Sequence, residues 1–231
     1  VLNRFRTKPQ TQEILNRLKT GQIDIAIGTH RLLSNDVSFA NLGLLVIDEE
    51  QRFGVKHKER IKQLKTHVHV LTMSATPIPR TLHMAMSGLR NISIIQTPPA
   101  ERLAIRTEVT RFSEQVIQEA IRRELHRGGQ VFFVHNRVES IHGMAEIVET
   151  LVPEAKICVA HGQMSATELE EKMVNFINRR FNVMICTTII ESGIDLPSVN
   201  TMVINRADQF GLSQLYQLRG RIGRGSERAH A

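Results

Sequence analysis

Asp48 and Glu49 are adjacent carboxylates placed directly after the apolar run Leu44-Leu45-Val46-Ile47. A run of that length and β-branched content reads as a buried parallel strand. In an open α/β sheet, ligands bind beyond the carboxyl ends of the strands. Carboxylates there can do two jobs in phosphoryl transfer. Asp48 can hold a magnesium ion, usually through its waters, and Glu49 can orient or deprotonate an attacking water. The stretch from Asp48 to Gln51 would equally serve as an acidic loop that caps a helix. A second cluster lies at Gln214 to Gly225, QLYQLRGRIGRG, where Arg219, Arg221 and Arg224 are interleaved with Gly220 and Gly223. Guanidinium forks match phosphate oxygens two at a time. One such arginine could act as a finger on a nucleotide held mainly by another lobe. A nucleic-acid patch and a solvated basic surface are rival uses of the same residues.

Three further signals accompany these, of which the last is as informative as the arginine cluster and the first two are weaker. Gly28-Thr29-His30-Arg31 follows the apolar stretch Ile23 to Ile27 and reads as a phosphate-contacting loop or as an ordinary turn and N-cap. Ser74-Ala75-Thr76-Pro77 follows Val68 to Met73, so its hydroxyls could hydrogen-bond the Asp48 and Glu49 carboxylates, or simply turn the chain. Met184 to Asn200, MICTTIIESGIDLPSVN, is a strand ending in Thr187-Thr188, followed by Gly193-Ile194-Asp195.

Alternating strands and helices must position these residues. In the first half, helical spacing over Thr11 to Thr20 ends at Gly21. Strands are expected at Ile23 to Ile27, Leu44 to Ile47, Val68 to Met73 and Ile92 to Ile95. Helices are expected at Lys56 to Lys65 and Thr81 to Gly88. Pro98-Pro99 marks an extended connection. The expected organisation is a first lobe over 1–98, a linker over 99–104 and a second lobe over 105–231. The second lobe repeats the pattern. Its expected strands are Ile105 to Thr110, Val131 to Val134, Lys156 to Ala160, Val183 to Thr187 and Thr201 to Ile204. Its expected helices are Glu114 to Arg127, Val138 to Leu151 and Ser165 to Phe176, the last opened by the capping pattern Ser-Ala-Thr-Glu. This alternation implies an α/β fold with parallel sheets flanked by helices in both halves.

Composition narrows the partners. The net charge of +7, from 30 basic and 23 acidic residues, favours a polyanion. With no Trp, one Tyr and nine Phe, recognition of single strands chiefly by base stacking is disfavoured. Cys158 and Cys186 lie in apolar runs and read as buried free thiols in a reducing compartment. No apolar run approaches the ~20 residues of a membrane span, and no signal peptide is visible. The chain opens at Val1 and ends at Ala231 directly after a dense motif, so it reads as a piece of a longer protein.

Taken together, the motifs resemble the large helicase and translocase superfamily built on two RecA-like lobes. Asp48-Glu49-Glu50-Gln51 resembles its Walker B motif and Ser74-Ala75-Thr76 its third motif. Gly28-Thr29-His30 resembles the nucleic-acid motif that precedes Walker B. Thr187 through Asp195 resembles the fifth motif, and Gln217, Gly220, Arg221 and Arg224 match the sixth, Q-x-x-G-R-x-x-R. Within that superfamily, DEEQRFGVKHKERIK, TMSATPIPRTLHMAMSGLRNISIIQTPPAERLAI and QFGLSQLYQLRGRIGRG are similar to the translocase of the bacterial transcription-repair coupling factors. RecG-type branch-migration helicases share much of this text.

The resemblance implies an ATP-driven double-stranded DNA translocase that displaces stalled RNA polymerase and recruits excision-repair proteins in the cytoplasm. Contacts to those proteins would be made by domains outside this chain. The implied cofactors are ATP and Mg2+. Asp48 would serve the magnesium and Glu49 the water. Ser74 and Thr76 would link hydrolysis to DNA movement, and Gly193 and Asp195 would approach the nucleotide from the second lobe. Arg221 and Arg224 would face the terminal phosphates, with Arg224 the finger and Gln217 organising that arm. Thr29, His30 and Thr187 would contact DNA phosphates without reading sequence. The chain departs from the family pattern: no G-x-x-x-x-G-K-[ST] loop occurs in it, and it is expected to be truncated after the sixth motif, before the hairpin element the family carries there. The expectations are therefore a first lobe truncated at its N-terminus, with exposed sheet edges, and a 231-residue piece inactive alone. The alternatives are a RecG-type fork-remodelling helicase and, from another class, a catalytically dead DNA- or protein-binding module.

Overall fold

The computed structural model describes residues 1–2, 7–50, 53–64, 66–74, 91–95, 97, 103–191, 196–225 and 227–231. Contacts divide the chain into two compact units, Val1–Arg90 and Asn91–Ala231. The expected helix over Thr81 to Gly88 and the Pro98-Pro99 pair lie outside the described residues.

In the first unit, helix α1 (Lys8–Lys19) opens on a capping box. Thr7 accepts from the Gln10 backbone N–H, and the Gln10 side chain accepts from that of Thr7. Gly21, at φ 72°, takes the left-handed conformation that ends the helix. Leu15 and Leu18 of α1 are buried with Leu2 and Val37. Strands β1 (Leu44–Asp48) and β2 (His69–Met73) pair in parallel, with Asp48 opposite Met73, and helix α2 (Val55–Leu64) lies between them in sequence. Ile47 of β1 and Ile61 of α2 form a second small core with Leu33.

Three expectations for residues 1–98 fail, two in the first unit and one just past its end. β1 is not buried on both faces: Leu44 is 57% and Val46 49% exposed, while Ile47 is buried. Ile23 to Ile27 is not a strand. It makes a hydrogen bond from Leu2 N–H to the Ile27 carbonyl and a bridge between Leu2 and Gly28, leaving Ile25 and Ile27 exposed. Ile92 to Ile95 is not a strand either, and Ile94 and Ile95 are exposed. β-branched residues make a strand only where a partner ladder and a buried face reward them.

The second unit carries a four-stranded parallel sheet. Its strands are β3 (Gln130–Val134), β4 (Ile157–Ala160), β5 (Val183–Cys186) and β6 (Val199–Ile204), in the order β4-β5-β3-β6. Helices α3 (Glu114–His126), α4 (Ile141–Leu151), α5 (Ala166–Ile177) and α6 (Leu212–Arg219) cover it. Alternate side chains enter two cores. Val131, Phe133 and Ile185 pack with Ile117, Ile121, Ile141 and Val148. Phe132, Val134, Met184 and Cys186 pack with Phe176, Leu218 and Ile222. The Phe132 and Phe176 rings stack with centroids 5.5 Å apart. Both thiols are buried and free, and burial pushes Cys158 up to about 12 and Cys186 up as well.

Ser113 and Ser165 cap α3 and α5 by accepting backbone N–H bonds, as the sequence of the latter implied. Helix α4 begins with a short 3-10 turn, Val138–Ser140. The expected strand Ile105 to Thr110 is reduced to a bridge between Arg106 and His230, which in turn bridges Thr201 of β6. Inside this edge, fully buried Glu124 of α3 accepts from Thr201 Oγ1 at 2.5 Å and from the Arg127 guanidinium. The Arg127 guanidinium also donates to the Arg228 carbonyl at 2.9 Å.

Candidate nucleotide and nucleic-acid sites

In the first unit the acidic pair sits where β1 leaves the sheet. The Glu49 N–H donates to the Met73 carbonyl at 3.0 Å, which continues the β1–β2 ladder one residue past Asp48. Glu49 itself has φ 52°, left-handed backbone that is uncommon for a glutamate and concentrated at functional turns. The chain turns there, and the Phe53 N–H donates to the Glu50 carbonyl at 3.2 Å. Asp48 is exposed, and Glu49 and Glu50 are half-buried. Ser74 follows Met73, so the ladder brings Asp48, Glu49 and Ser74 together at the carboxyl end of the sheet.

Among the described residues no three His, Cys, Asp or Glu side chains converge as metal ligands. Magnesium requires no such cage. It is commonly held by one or two carboxylates, waters and the substrate's own phosphates, and an exposed aspartate at a strand end fits that use.

Thr29 accepts from the Arg31 N–H at 3.5 Å and caps a short 3-10 turn, His30–Leu33. The loop forms a capped turn, with the His30 side chain exposed beside it. Arg31 is engaged elsewhere. Its guanidinium donates to both Asp36 carboxylate oxygens at 2.6 and 2.5 Å and holds that carboxyl below its usual range.

In the second unit, Thr187 directly follows β5 and is only 7% exposed, with its N–H donating to the Ala160 carbonyl at 3.3 Å. Gln217 lies in α6 and is half-buried. The Arg219 guanidinium lies 4.6 Å over the Tyr216 ring, so this arginine stacks on its own helix. Past the helix end the Arg221 N–H donates to the Leu218 carbonyl, and Arg221 is half-buried. Gly223 has φ 67°, and a Cβ there would lie 2.9 Å from that of Ala229, so glycine is required at this close approach. Arg224 is exposed, and its Nε donates to the Gly220 carbonyl at 3.3 Å, folding the side chain back on the turn. Thr76, Gly193 and Asp195 lie outside the described residues.

One polar group was missed by the sequence reading. His135 follows β3 and is buried. Its Nδ1 accepts from the Asn205 amide at 2.9 Å, so its Nε2 carries the proton and donates to Ser140 Oγ at 2.8 Å. Burial first, and the charge of Arg137 second, lower its pKa. The network ties the carboxyl ends of β3 and β6 to the start of α4. The signal available in sequence was a polar residue directly after each apolar run, His135 after Val134 and Asn205 after Ile204.

Comparison with known proteins accounts for both halves. Residues 1–85 match the DEAD/DEAH box helicase family, and residues 113–226 match the helicase conserved C-terminal domain. The chain belongs to the two-lobed helicase superfamily. Over all 231 residues it is 57% identical to the transcription-repair-coupling factor of Myxococcus xanthus, covering 19% of that protein. It is 56% identical over its whole length to that of Escherichia coli, covering 20%. The chain thus spans about a fifth of the length of the curated relatives it matches. The solved structure of RecG bound to a three-way DNA junction superposes with a TM-score of 0.72 at 38% identity, over 99% of this chain and 31% of that one. The helicase Lhr of Mycobacterium smegmatis, at 15% identity and a TM-score of 0.73 over 99% of this chain and 33% of its own, shares the fold.

Proposed function

We propose that this chain is motor sequence of an ATP-dependent double-stranded DNA translocase that dislodges stalled RNA polymerase and couples transcription to excision repair. The observation that carries the ATPase reading is the strand register that places Asp48, Glu49 and Ser74 at neighbouring positions at the carboxyl end of a parallel sheet. A carboxylate for magnesium, a second for water and a hydroxyl beside them are what phosphoryl transfer to water needs. When bound, Mg2+ offsets charge on the phosphate oxygens. Asp48 holds its water shell, Glu49 orients the attacking water, and Ser74 and Thr76 report the nucleotide state to the DNA-contacting residues. Gly193, Asp195, Gln217 and Arg221 serve the same nucleotide, with Arg224 the finger that stabilises transition-state charge. Thr29, His30 and Thr187 contact DNA phosphates. Identity of 57% and 56% over the whole of this chain to stretches of coupling factors supports the choice of pathway.

The resemblance to RecG in sequence and fold supports a second reading, branch migration at forks. One set of assays separates the two. In the full-length gene product, ATP turnover should rise with linear duplex, and the protein should release a stalled RNA polymerase from its template. Arg224→Ala should lower the stimulated turnover by about 10³-fold. Turnover that responds to three-way junctions but not to linear duplex would replace the proposal with fork remodelling. Absence of turnover under every condition would leave a binding module.

A further inference from the structure

Within the first unit three rings form a chain. The His30 and His57 centroids lie 5.3 Å apart at an interplanar angle of 46°, and the Phe53 ring meets His57 edge-on with centroids 6.1 Å apart at 86°. These are contact geometries for ring pairs. The three residues come from separate places: the turn after Thr29, the segment after the acidic pair, and helix α2. Phe53 packs on the core formed by Leu33, Ile47 and Ile61, and its N–H is bound to the Glu50 carbonyl. His57 is half-buried between its two ring partners, and His30 is exposed beside Thr29. The ring chain therefore runs from the candidate phosphate-contacting turn to the turn that sets the backbone of Glu49.

We propose that His57 is a positioning residue that couples occupancy of the Thr29-His30 turn by a DNA phosphate to the placement of Glu49. The inference rests on the function proposed above. A phosphate at His30 fixes that imidazole, and His57 and Phe53 follow because packed rings shift together rather than deform. The displacement reaches Glu49 through the Glu50 carbonyl. Glu49 is held in left-handed backbone, a conformation that its surroundings must enforce, so a small shift of those surroundings alters it. His57 touches neither nucleotide nor DNA in this scheme. Its role is confined to the link.

The test uses the full-length protein, with ATP turnover measured as duplex DNA is titrated. In His57→Ala, basal turnover should stay at the wild-type level and the duplex-stimulated rate should drop about fivefold. The duplex concentration for half-stimulation should be unchanged. His57→Phe, which keeps a ring at the same place, should restore most of the stimulation. Phe53→Leu, which keeps the apolar packing and removes the edge contact, should lose it as His57→Ala does. The double variant should lose no more than either single one, as expected for two residues in one link. Full stimulation in His57→Ala, or an equal fall of basal and stimulated rates, would overturn the coupling role and leave the function intact. Turnover of the wild-type protein that ignores duplex would overturn the function, and the coupling with it.

Discussion

The two units use parallel strands differently. In the second, every residue of β3 and β5 is buried, and successive side chains feed opposite cores. In the first, β1 and β2 pack one face against Leu33 and Ile61, while Leu44, Val46, Leu71 and Met73 stay exposed. The polar residues beyond the strands differ in the opposite sense. Asp48 stands exposed at the end of β1, whereas His135 at the end of β3 is buried between two hydrogen-bond partners. The thinner unit thus presents an open carboxylate, as ion chemistry needs, and the thicker one presents a locked end that can hold neighbouring residues in place. Burial of a sheet and accessibility of its functional end are separate properties, even though both begin from an apolar run.

The largest effect expected from this contrast is on stability. Phe133 is fully buried in the second unit, and Phe133→Ala should destabilise that unit by about 3–5 kcal/mol through lost contacts and a cavity. Val46→Ala, on the exposed face of β1, should cost less than about 0.5 kcal/mol. Denaturant unfolding of both variants checks this. Similar costs would mean that the exposed face of β1 is covered in solution.

A second pair of changes sharpens the contrast in electrostatics. Glu124 has no exposure and is held by Arg127 and Thr201, so Glu124→Ala strands a partly buried guanidinium and should cost about 3–5 kcal/mol. The Arg31–Asp36 pair joins two guanidinium nitrogens to both carboxylate oxygens, whereas Arg127 reaches a single oxygen of Glu124, but its carboxylate is exposed, and Asp36→Ala should leave the unfolding midpoint unchanged within error. A large effect at Asp36 would show that this loop bears more of the first unit's stability than its exposure implies.

Much of this was legible in sequence, for physical reasons that differ by element. Helices α1 and α3 were legible from their apolar period and α5 from its capping residue Ser165 as well, whereas the caps Thr7 and Ser113 are seen only in the structure, where α1 begins at Lys8 rather than at Thr11. The strands of the second unit were legible because burial on both faces leaves unbroken apolar runs. Ile23 to Ile27 and Ile92 to Ile95 have the same local composition, yet neither has a ladder, and pairing is a non-local property that composition does not carry. Asp48, Glu49 and Ser74 were found because each ends an apolar run. His135 met the same criterion but was overlooked, since a lone histidine after a strand gains meaning only from Asn205, seventy residues away. The ring chain through His57 was hidden in the charged stretch Lys56 to Lys65, where spacing shows a helix and a charge run more often marks a solvated face than a link.

The smallest expected effect concerns pH and tests whether the end of β3 is as locked as its hydrogen bonds indicate. The folded protein lowers the pKa of His135, so the unfolded chain takes up its proton first as pH falls. The neutral imidazole therefore stabilises the second unit fully above the unfolded value, ~6.5. That contribution declines as pH falls below it, towards the folded value. Protonation would also set an Nδ1–H against the donating Asn205 amide, breaking the tie between β3 and β6. His230 is shifted in the same direction by burial and by Arg123, Arg127 and Arg106, so it adds to the same slope. Denaturant midpoints measured between pH 7.5 and 5.5 (about one unit either side of ~6.5) should fall for the wild-type chain. They should fall less for His135→Asn, which cannot titrate. Parallel profiles for the two proteins would mean that His135 titrates as freely as an exposed histidine and that the end of β3 is as open as that of β1.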